Sequence, residues 1–363
     1  MGNKIRVLVP SSGGPGSINM CRSLNMVPDV ELIGFDASPH YLLLSETSQR
    51  WLAPKRTPPE AWIEWLADLA AKTGAEVFLP NTSPDALLFA QHKERFNLLS
   101  FLPSERAFKA GEEKWLSYNI FLEAGLPVPR TWLLNKREDV ADAFDILSPA
   151  PVWIRGAGIP GKGVGVASLP ARTVQQAIAW VEYWKGWGMM TASEYLPGRN
   201  LTWLAVYQDG KLVASQGRER DAYVIPHVSP SGITGAPAIS HTVNRQDIND
   251  LGAKAVLAVD PAFNGPAFVD FKEDEDGQPR ITEINVGRLG TTHHFYSAAG
   301  ANFPELLLRL ARGERLPPWV RQHDVLPEDL YWIRTLDGGP VLTDARRIND
   351  LLSAGSDQLS ALD

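Results

Sequence analysis

The sequence contains a single cysteine, Cys21, among its 363 residues. No internal disulfide can form, and a reduced, cytoplasmic protein is the expectation. Its longest apolar runs are far shorter than the roughly 18 residues that a membrane-spanning helix requires. The N-terminus lacks the pattern of a signal peptide, and Arg6 stands where a myristoylation motif needs Ser or Thr. The sequence therefore predicts a protein without a membrane segment or lipid anchor.

An excess of basic residues is also missing. The chain has 35 Lys and Arg against 42 Asp and Glu, a formal charge of −7, and its pI is about 5.6. Nucleic-acid binders usually carry a basic patch that displaces counterions, so this class is disfavoured. Hydrophobic residues make up 44% and charged residues 21%, which is ordinary globular composition and argues against a disordered chain, a coiled coil or a collagen. The length suggests two or three domains.

The first hundred residues alternate strand and helix patterns. Residues 5–9, 30–36 and 76–80 are apolar and predict strands, with helices over 18–26 and 61–73. A glycine-rich turn, 11–17, follows the first strand. This order favours a parallel α/β sheet with right-handed crossovers. We predict that residues 1–110 form one such domain.

Three further units are predicted after this domain: 111–191, 192–315 and a small C-terminal appendage, 316–363. The first unit begins with a helix over 114–124 and has strands at 132–134, 152–155 and 164–169, with helices at 140–147 and 174–184. In the second unit, Asp209-Gly210 predicts a hairpin between 201–207 and 212–216. The appendage is predicted to hold one strand, 330–336, and a helix near 345–352.

The segment 267–285 concentrates polar side chains on one face of a second predicted hairpin. Asp276-Gly277 suits a two-residue type I′ turn, which places Glu275 opposite Gln278 and Asp270 opposite Glu283. Asn285 shares the face of Glu283 because strand side chains alternate. These hard oxygen ligands would suit Mg²⁺.

An ordinary amphipathic surface hairpin would show the same alternation. Against that reading, directly opposed like charges are destabilising, and Lys272 is the one nearby cation that the hairpin itself puts on that face. A bound cation would remove the repulsion.

Two further segments could contact a nucleotide. The glycine-rich run 156–165 nearly matches the Walker A pattern, but Gly163 replaces the metal-binding Ser or Thr and a strand is predicted to follow. Its backbone N–H groups could instead close over phosphates, beside Arg155. The segment 193–202 places an acidic residue and a Pro-Gly break between two predicted strands, which could form the edge of an adenine slot; an ordinary turn is the alternative.

Together these segments resemble the ATP-grasp superfamily, especially the carbamoyl-phosphate synthase large-chain type and the carboxylate–amine ligases. The resemblance covers roughly residues 1–312 and rests on the order of Lys114, Arg155, Glu194 to Arg199, Asp270 and Glu283 to Asn285. It implies an α/β chain: an N-terminal parallel α/β (pre-ATP-grasp) domain, then an ATP-grasp fold of two α+β subdomains, then the C-terminal appendage.

The resemblance also implies site residues. Mg²⁺, or Mn²⁺ in its place, would be held by Asp270, Glu283 and Asn285. Catalytic roles fall to Arg155, Arg220 and Arg288. The implied ATP-binding residues are Lys114, Arg155, Gly161, Lys162, Gly163, Val164, Glu194, Tyr195 and Leu196. Two positions depart from the family pattern: Asn200 replaces a Glu that contacts ribose, and the usual Asn-Pro-Arg is here Asn285-Val286-Gly287-Arg288.

The implied activity is an ATP-dependent carboxylate–amine ligase that forms an acyl phosphate and acts on small molecules, with a homodimer possible. The alternatives are an NAD-dependent oxidoreductase that uses Asp36 in the N-terminal βαβ unit, and a non-catalytic nucleotide-binding regulator. The first alternative is weakened because Gly13, Gly14 and Gly16 do not complete the Gly-x-Gly-x-x-Gly fingerprint.

Overall fold

Three β-sheets follow one another along the chain. The computed structural model describes residues 4–158, 168–233, 235–336, 341–346 and 349. Within this part of the chain, no helix is both long enough and apolar enough to cross a membrane.

The first sheet is parallel throughout, as predicted, with the strand order β3-β2-β1-β4. Helix α3 packs against its buried strands through a stripe of large apolar side chains that includes Trp62 and Leu66. The elements of this part are β1 (Ile5–Val9), α1 (Pro15–Leu24), β2 (Val30–Asp36), α2 (Pro39–Leu42), β3 (Gln49–Leu52), α3 (Pro59–Thr73), β4 (Val77–Phe78), α4 (Ser83–Gln91), a 3₁₀ turn (Lys93–Arg95) and α5 (Glu105–Glu112).

The second sheet is small, antiparallel and ordered β5-β8-β6-β7. Helices α7 and α8 cover one face and pack residues such as Val140 and Val181 against Ile154 and Ala192. The opposite face carries Trp153 and Arg155. Its elements are α6 (Lys114–Glu123), β5 (Thr131–Leu134), α7 (Arg137–Leu147), β6 (Val152–Gly156), β7 (Leu169–Ala171), α8 (Val174–Tyr183) and β8 (Met190–Glu194).

The third sheet has seven strands in the order β13-β12-β9-β10-β11-β14-β15. The hairpin predicted at Asp209-Gly210 is confirmed, because Lys211 pairs with Gln208. The elements of this part are β9 (Asn200–Gln208), β10 (Lys211–Tyr223), a 3₁₀ turn (Pro226–Val228), β11 (Pro237–Val243), α9 (Gln246–Val259), β12 (Gly265–Glu273), β13 (Pro279–Val286), α10 (His294–Ala298), α11 (Phe303–Arg312), β14 (Leu330–Ile333) and β15 (Val341–Asp344).

The β12–β13 hairpin has the predicted pairing of Asp270 with Glu283, but not the predicted turn. Asp274 N–H donates to Gln278 O at 3.0 Å and Gly277 N–H donates to Asp274 O at 3.1 Å, so the loop has three residues. Gly277 takes a left-handed conformation with φ 74°, typical of such loops. A β-bulge beside Asp270 restores the register that the longer loop would otherwise shift by one residue.

The C-terminal segment contributes to the large sheet. Strand β14 pairs with β11, and the Trp332 side chain is 1% exposed. Its ring lies 5.1 Å from the ring centroid of Phe295 and 5.2 Å from that of Tyr296. The strand predicted at 330–336 is therefore present, in shorter form, and anchors the chain end in a core that also contains residues of the first sheet.

Three strands, β3, β11 and β15, were not foreseen in the sequence, which predicts a single strand in the C-terminal appendage. Strand β3 is a short edge strand, and β11 begins at a proline after a segment rich in Ser, Pro and Gly, where strand propensity is weak. Most of the strand predicted at 164–169, and most of the helix predicted near 345–352, lie outside the described residues.

We expect Trp332→Ala to destabilise the protein by about 3–5 kcal/mol, because it would leave a large cavity in a shared core. Urea-unfolding midpoints would measure the loss. Leu336→Ala is the matched control, since Leu336 is 70% exposed and its truncation should cost less than about 0.5 kcal/mol. Equal midpoints for the two variants would contradict the structural role of β14.

Candidate active site

A cleft of about 730 Å³ lies between the small sheet and the large sheet. Its walls come from α6, strands β6 and β8, and the strands β9, β10, β12 and β13. Every predicted site residue that the structure describes lines this cleft: Lys114, Arg155, Glu194, Tyr195, Leu196, Arg220, Asp270, Glu283, Asn285 and Arg288. Residues far apart in sequence are thus brought into one site.

The floor of the cleft is formed by the β12–β13 hairpin. Asp270 and Glu283 are register partners, which places their Cβ atoms about 5 Å apart. The opposite face of the hairpin is apolar, with Val269 and Ile284 both fully buried. Burial of that face in the core holds the two carboxylates toward the cleft.

Glu283 is held by cations from two other elements. Lys114 Nζ lies 2.8 Å from Glu283 Oε1, and Arg155 Nη1 lies 3.8 Å from Oε2. Burial raises the pKa of Glu283, but Lys114, Arg155 and Arg288 together outweigh it, so the pKa of this carboxyl lies below its ordinary value. Glu283 is therefore an anion at neutral pH.

Asp270 is held by the neighbouring strands of the large sheet. Thr202 Oγ1 donates to Asp270 Oδ1 at 2.7 Å, and Arg220 Nη2 lies 3.2 Å from the same oxygen. Thr202 is the register partner of Asp270 on β9. Sequence reasoning missed Thr202, because a threonine in a strand is common and does not by itself indicate a functional role.

Arg155 reaches the hairpin from the small sheet. Alternation along β6 buries Val152 and Ile154 in the small core and turns Arg155 toward the cleft. Its Nη2 donates to the carbonyl oxygen of Thr282 at 2.6 Å. Thr282 is at the bulge, where its hydroxyl donates to Asp270 O at 3.0 Å. The bulge therefore presents a backbone acceptor to Arg155.

Lys114 is positioned by the start of α6. Trp115 N–H donates to Ala157 O at 3.0 Å, which joins this helix to the end of β6. At Gly158, with φ +69°, a Cβ atom would lie 2.7 Å from Glu112 O and 2.9 Å from Lys114 N. Only glycine fits there without moving the helix start.

Arg288 follows the hairpin on a loop that the first sheet supports. Arg288 Nη2 donates to Asn285 Oδ1, and its guanidinium lies 5.6 Å from the ring centroid of Phe268. Asn81, just beyond β4, accepts from Leu289 N–H at 2.7 Å and donates to Gly290 O at 3.0 Å. Sequence reasoning missed Asn81; its place after a buried parallel strand was the available signal.

The residues predicted at the adenine site lie together at one end of the cleft. Leu196 is 6% exposed, and the rings of Tyr195 and Trp153 lie 6.4 Å apart. The Glu194 carboxylate accepts from the backbone N–H of Arg130 at 3.2 Å. The wall is therefore apolar and aromatic with a carboxylate at its edge. The predicted flap residues Gly161, Lys162, Gly163 and Val164 lie outside the described residues.

The oxygen atoms at the cleft floor fit a hard divalent cation. Two carboxylates and an amide oxygen, from Asp270, Glu283 and Asn285, face the same space, and Mg²⁺ typically takes one or two carboxylates plus phosphate oxygens. Where the structure is described, no group of three or more His, Cys, Asp or Glu forms a metal site. A metal bound here would therefore also need the amide oxygen of Asn285 and oxygen atoms of a bound ligand as coordinating groups.

The first sheet offers little room for a dinucleotide. The hollow beside Asp36 measures about 240 Å³, below the usual range of ligand pockets. Asp36 accepts from Ser38 N–H at 2.9 Å and from Gly13 N–H at 3.4 Å, so its carboxylate braces the glycine-rich turn. This arrangement does not favour the oxidoreductase alternative.

His293 and His294, which follow the loop, differ from a plain surface pair. His293 is 1% exposed, its Nδ1 lies 3.0 Å from Gly290 O, and burial lowers its pKa to about 3. Burial also lowers the pKa of His294. The neutral His293 imidazole therefore donates from Nδ1 and holds the loop behind Arg288.

We expect His293 to make stability pH-dependent. Its folded pKa, about 3, lies below the ordinary value of 6.5, so the unfolded chain binds the extra proton first. The contribution is fully present above about pH 6.5 and falls with decreasing pH by up to about 1.4 kcal/mol per unit. Urea unfolding would give the free energy of unfolding at each pH between 7 and 5. We expect this free energy to change less with pH in His293→Asn than in the wild type. The variant His40→Asn, at an exposed histidine, is the control and should match the wild type. Parallel slopes in all three proteins would contradict this.

Comparison with known proteins finds similar structures but no similar sequences: no family model matches the chain, and no curated protein matches it. Biotin carboxylase from Campylobacter jejuni has a TM-score of 0.67 at 17% identity, with 91% of this chain and 75% of that chain covered. L-amino acid ligase from Bacillus licheniformis has a TM-score of 0.63 at 14% identity, covering 92% and 79%.

A third similar structure is carboxyaminoimidazole ribonucleotide synthase from Aspergillus clavatus, complexed with ATP. Its TM-score is 0.65 at 16% identity, covering 92% of this chain and 82% of that chain. At these identities the likeness concerns the fold, and it extends over nearly the whole chain. The predicted fold, an N-terminal parallel α/β domain followed by an ATP-grasp fold, is thereby confirmed.

Proposed function

We propose that this protein is an ATP-dependent ligase that activates a carboxylate as an acyl phosphate and transfers the acyl group to an amine or similar nucleophile. The observation that carries the proposal is the floor of the cleft. There Asp270, Glu283 and Asn285 face the space between the two sheets, ringed by cations from four separate elements. The fold of the similar enzymes supports the same conclusion.

Positive charge dominates the described lining of the cleft. Six cationic side chains and three acidic ones contribute to it: Lys114, Arg155, Arg218, Arg220, Lys272 and Arg288, against Glu194, Asp270 and Glu283. Such an excess in a concave, partly desolvated space favours a polyanion such as ATP. The apolar and aromatic wall at Leu196 and Tyr195 suits a purine ring beside it.

The proposed chemistry proceeds in two displacements. An oxygen of the substrate carboxylate attacks the γ-phosphorus of ATP, the bond to the β-phosphate oxygen breaks, and ADP leaves. The amine then attacks the acyl carbon, the C–O bond to phosphate breaks, and inorganic phosphate leaves as the amine proton passes to solvent. Neither step requires a covalent bond to the enzyme.

The cleft residues contribute charge and position to these steps. Arg155 and Arg288, which both act electrostatically on Glu283, would neutralise the oxygens of the transferred phosphoryl group. Lys114 would hold the nucleotide phosphates from the helix side, and Arg220 would bind a carboxylate of a substrate. Asp270, Glu283 and Asn285 would hold a magnesium ion, which would supply positive charge against the phosphate oxygens.

Other features of the proposal follow from the sequence. Small-molecule substrates fit a cleft of this size. The acidic composition and the single cysteine support a cytoplasmic protein that binds neither nucleic acid nor membrane. The domain limits proposed are 1–110, 111–191, 192–315 and 316–363. Strand β8 of the small sheet crosses the second limit and ends at Glu194, and β14 and β15 of the last range belong to the large sheet.

We expect Glu283→Gln to abolish ADP formation while the fold survives, because the amide keeps the shape but removes the charge that balances the metal and Lys114. ADP release would be measured with Mg²⁺ and ATP over a panel of amino acids and small carboxylic acids. The control is Glu275→Gln, an exposed residue in the loop of the same hairpin. Turnover by Glu283→Gln at the control's rate would exclude the metal assignment and this proposal.

We expect Arg155→Ala to weaken ATP binding about tenfold or more, since a charge-assisted hydrogen bond contributes roughly 1.5–3 kcal/mol. Calorimetric titration with a non-hydrolysable ATP analogue and Mg²⁺ would measure it. Arg172→Ala, an exposed change in the small sheet's own domain, should bind normally. An unchanged dissociation constant in Arg155→Ala would show that Arg155 does not bind the ATP phosphates.

A further inference from the structure

Arg218 is a buried cation that the proposed phosphoryl-transfer site does not use. It lines the cleft on β10, is 8% exposed and forms no ion pair with a carboxylate of the described residues, although Asp270 attracts it electrostatically. The two acidic residues nearest to it on β10 contact other side chains. Glu219 Oε2 lies 3.4 Å from Arg199 Nη1, and Asp221 Oδ2 lies 3.0 Å from His241 Nδ1. A buried guanidinium without an anion in direct contact is costly, so an anion from outside the chain is expected to complete the site.

The contacts of Arg218 leave part of its guanidinium open. Its Nη1 donates to the hydroxyl of Thr292, and its side chain lies 6.0 Å from the ring centroid of Trp332. Its Nε is buried and has no acceptor in the described part of the chain. The free Nε edge of an arginine matches the two oxygens of a carboxylate.

Two more buried donors belong to the same wall. Arg220 binds Asp270 through Nη2, but its Nε is buried without an acceptor within the described residues, and so is the hydroxyl of Tyr223. Register shifts after Arg220 change the alternation of β10, so that Tyr223 lines the cleft with the two arginines. Three donors and no acceptor converge from one strand.

The electrostatics of this wall agree with its hydrogen bonding. Burial lowers the pKa of Arg218, and the neighbouring Arg220 lowers it further. Burial lowers the pKa of Arg334, and the positive charge of Arg218 lowers it further. Burial raises the pKa of Tyr223, which keeps its hydroxyl protonated and able to donate. An oxyanion bound here would relieve the repulsion among the guanidinium groups.

We propose that Arg218, Arg220 and Tyr223 form a pocket for a substrate carboxylate that is not activated, so that one of the two substrates carries a second carboxylate. This inference rests on the ligase function proposed above. Arg218 lies two residues from Arg220 along β10, about 7 Å at the usual strand rise. The pocket therefore extends the site beyond the atoms that react.

The non-reacting carboxylate has two possible sources. It could be the second carboxylate of a dicarboxylic donor, or the α-carboxylate of an amino acid that acts as the amine. Both present the same group to Arg218. Substrates that differ only by replacement of one carboxylate with an amide distinguish them, because the amide keeps the shape and removes the charge.

ADP release with saturating ATP and Mg²⁺ would be compared for matched pairs. The donor pairs are succinate with succinamate and glutarate with glutaramate, and the acceptor pairs are glycine with glycinamide and alanine with alaninamide. We expect at least one pair to favour the free carboxylate by about 10- to 150-fold in kcat/KM, as for a charge-assisted contact. A preference in the donor pairs identifies a dicarboxylic donor, and one in the acceptor pairs identifies an amino acid.

In Arg218→Met this preference should fall to within about threefold, and Arg218→Lys should be intermediate because it retains the charge without the fork. Arg334→Met is the matched control, since Arg334 is a neighbouring half-buried arginine outside the cleft lining. Both Arg218 variants should still bind ADP with Mg²⁺ as the wild type does, which also shows that they are folded.

Four outcomes would overturn the inference. The first is equal rates for the two members of every substrate pair, and the second is an unchanged preference in Arg218→Met and Arg218→Lys. The third is an equal loss of preference in Arg334→Met. The fourth is loss of ADP binding in both Arg218 variants, which would place Arg218 at the nucleotide phosphates. If Glu283→Gln abolishes ADP formation while one of these occurs, only the carboxylate pocket is wrong. If Glu283→Gln remains active, the ligase proposal itself is wrong.

Discussion

Two carboxylates on adjacent strands, Asp270 and Glu283, are held toward one cleft although like charges in direct register repel each other. The apolar underside of their hairpin fixes this orientation, since turning either strand over would expose Val269 or Ile284 to water. The repulsion is met by cations from other elements, with Lys114 and Arg155 on Glu283 and Arg220 on Asp270. The geometry of the cleft depends on this balance.

Each of those cations is itself fixed by a packing constraint. Alternation on β6 orients Arg155, a glycine at 158 permits the close approach of the α6 start that carries Lys114, and Asn81 ties the Arg288 loop to the first sheet. The first sheet therefore serves the site through backbone support, while its own hollow beside Asp36 is small. A nucleotide in the main cleft would contact groups contributed by both other sheets.

The charge distribution divides the cleft into two regions. Near Glu283 the cations Lys114 and Arg155 have an acidic partner, and under the proposed function a metal with a nucleotide would replace those contacts. Along β10, Arg218 forms no ion pair with an acidic residue in the described chain, and it contacts Trp332 and Thr292. Because β14 carries Trp332, the C-terminal strand reaches the wall of the site as well as the core. This second region is where substrate specificity would arise.

Local pattern was enough for much of the fold and for the pairing of Asp270 with Glu283. Alternating strands and helices in the first hundred residues, the Asp209-Gly210 hairpin and the two-faced segment 267–285 are determined by neighbours in sequence, and the structure agrees with them. The turn at 276–277 shows the limit of such reasoning. The pairing of Asp270 with Glu283 is correct because a bulge offsets a loop one residue longer than predicted.

Tertiary structure alone decided which cations meet which carboxylates. Lys114 and Glu283 are separated by 169 positions, and Arg218 and Thr292 by 74; no local periodicity relates residues so far apart. The same holds for the burial of His293, the support from Asn81 and the place of β14 in the large sheet. These depend on how three sheets pack against one another, whereas alternation within a strand depends only on the covalent chain.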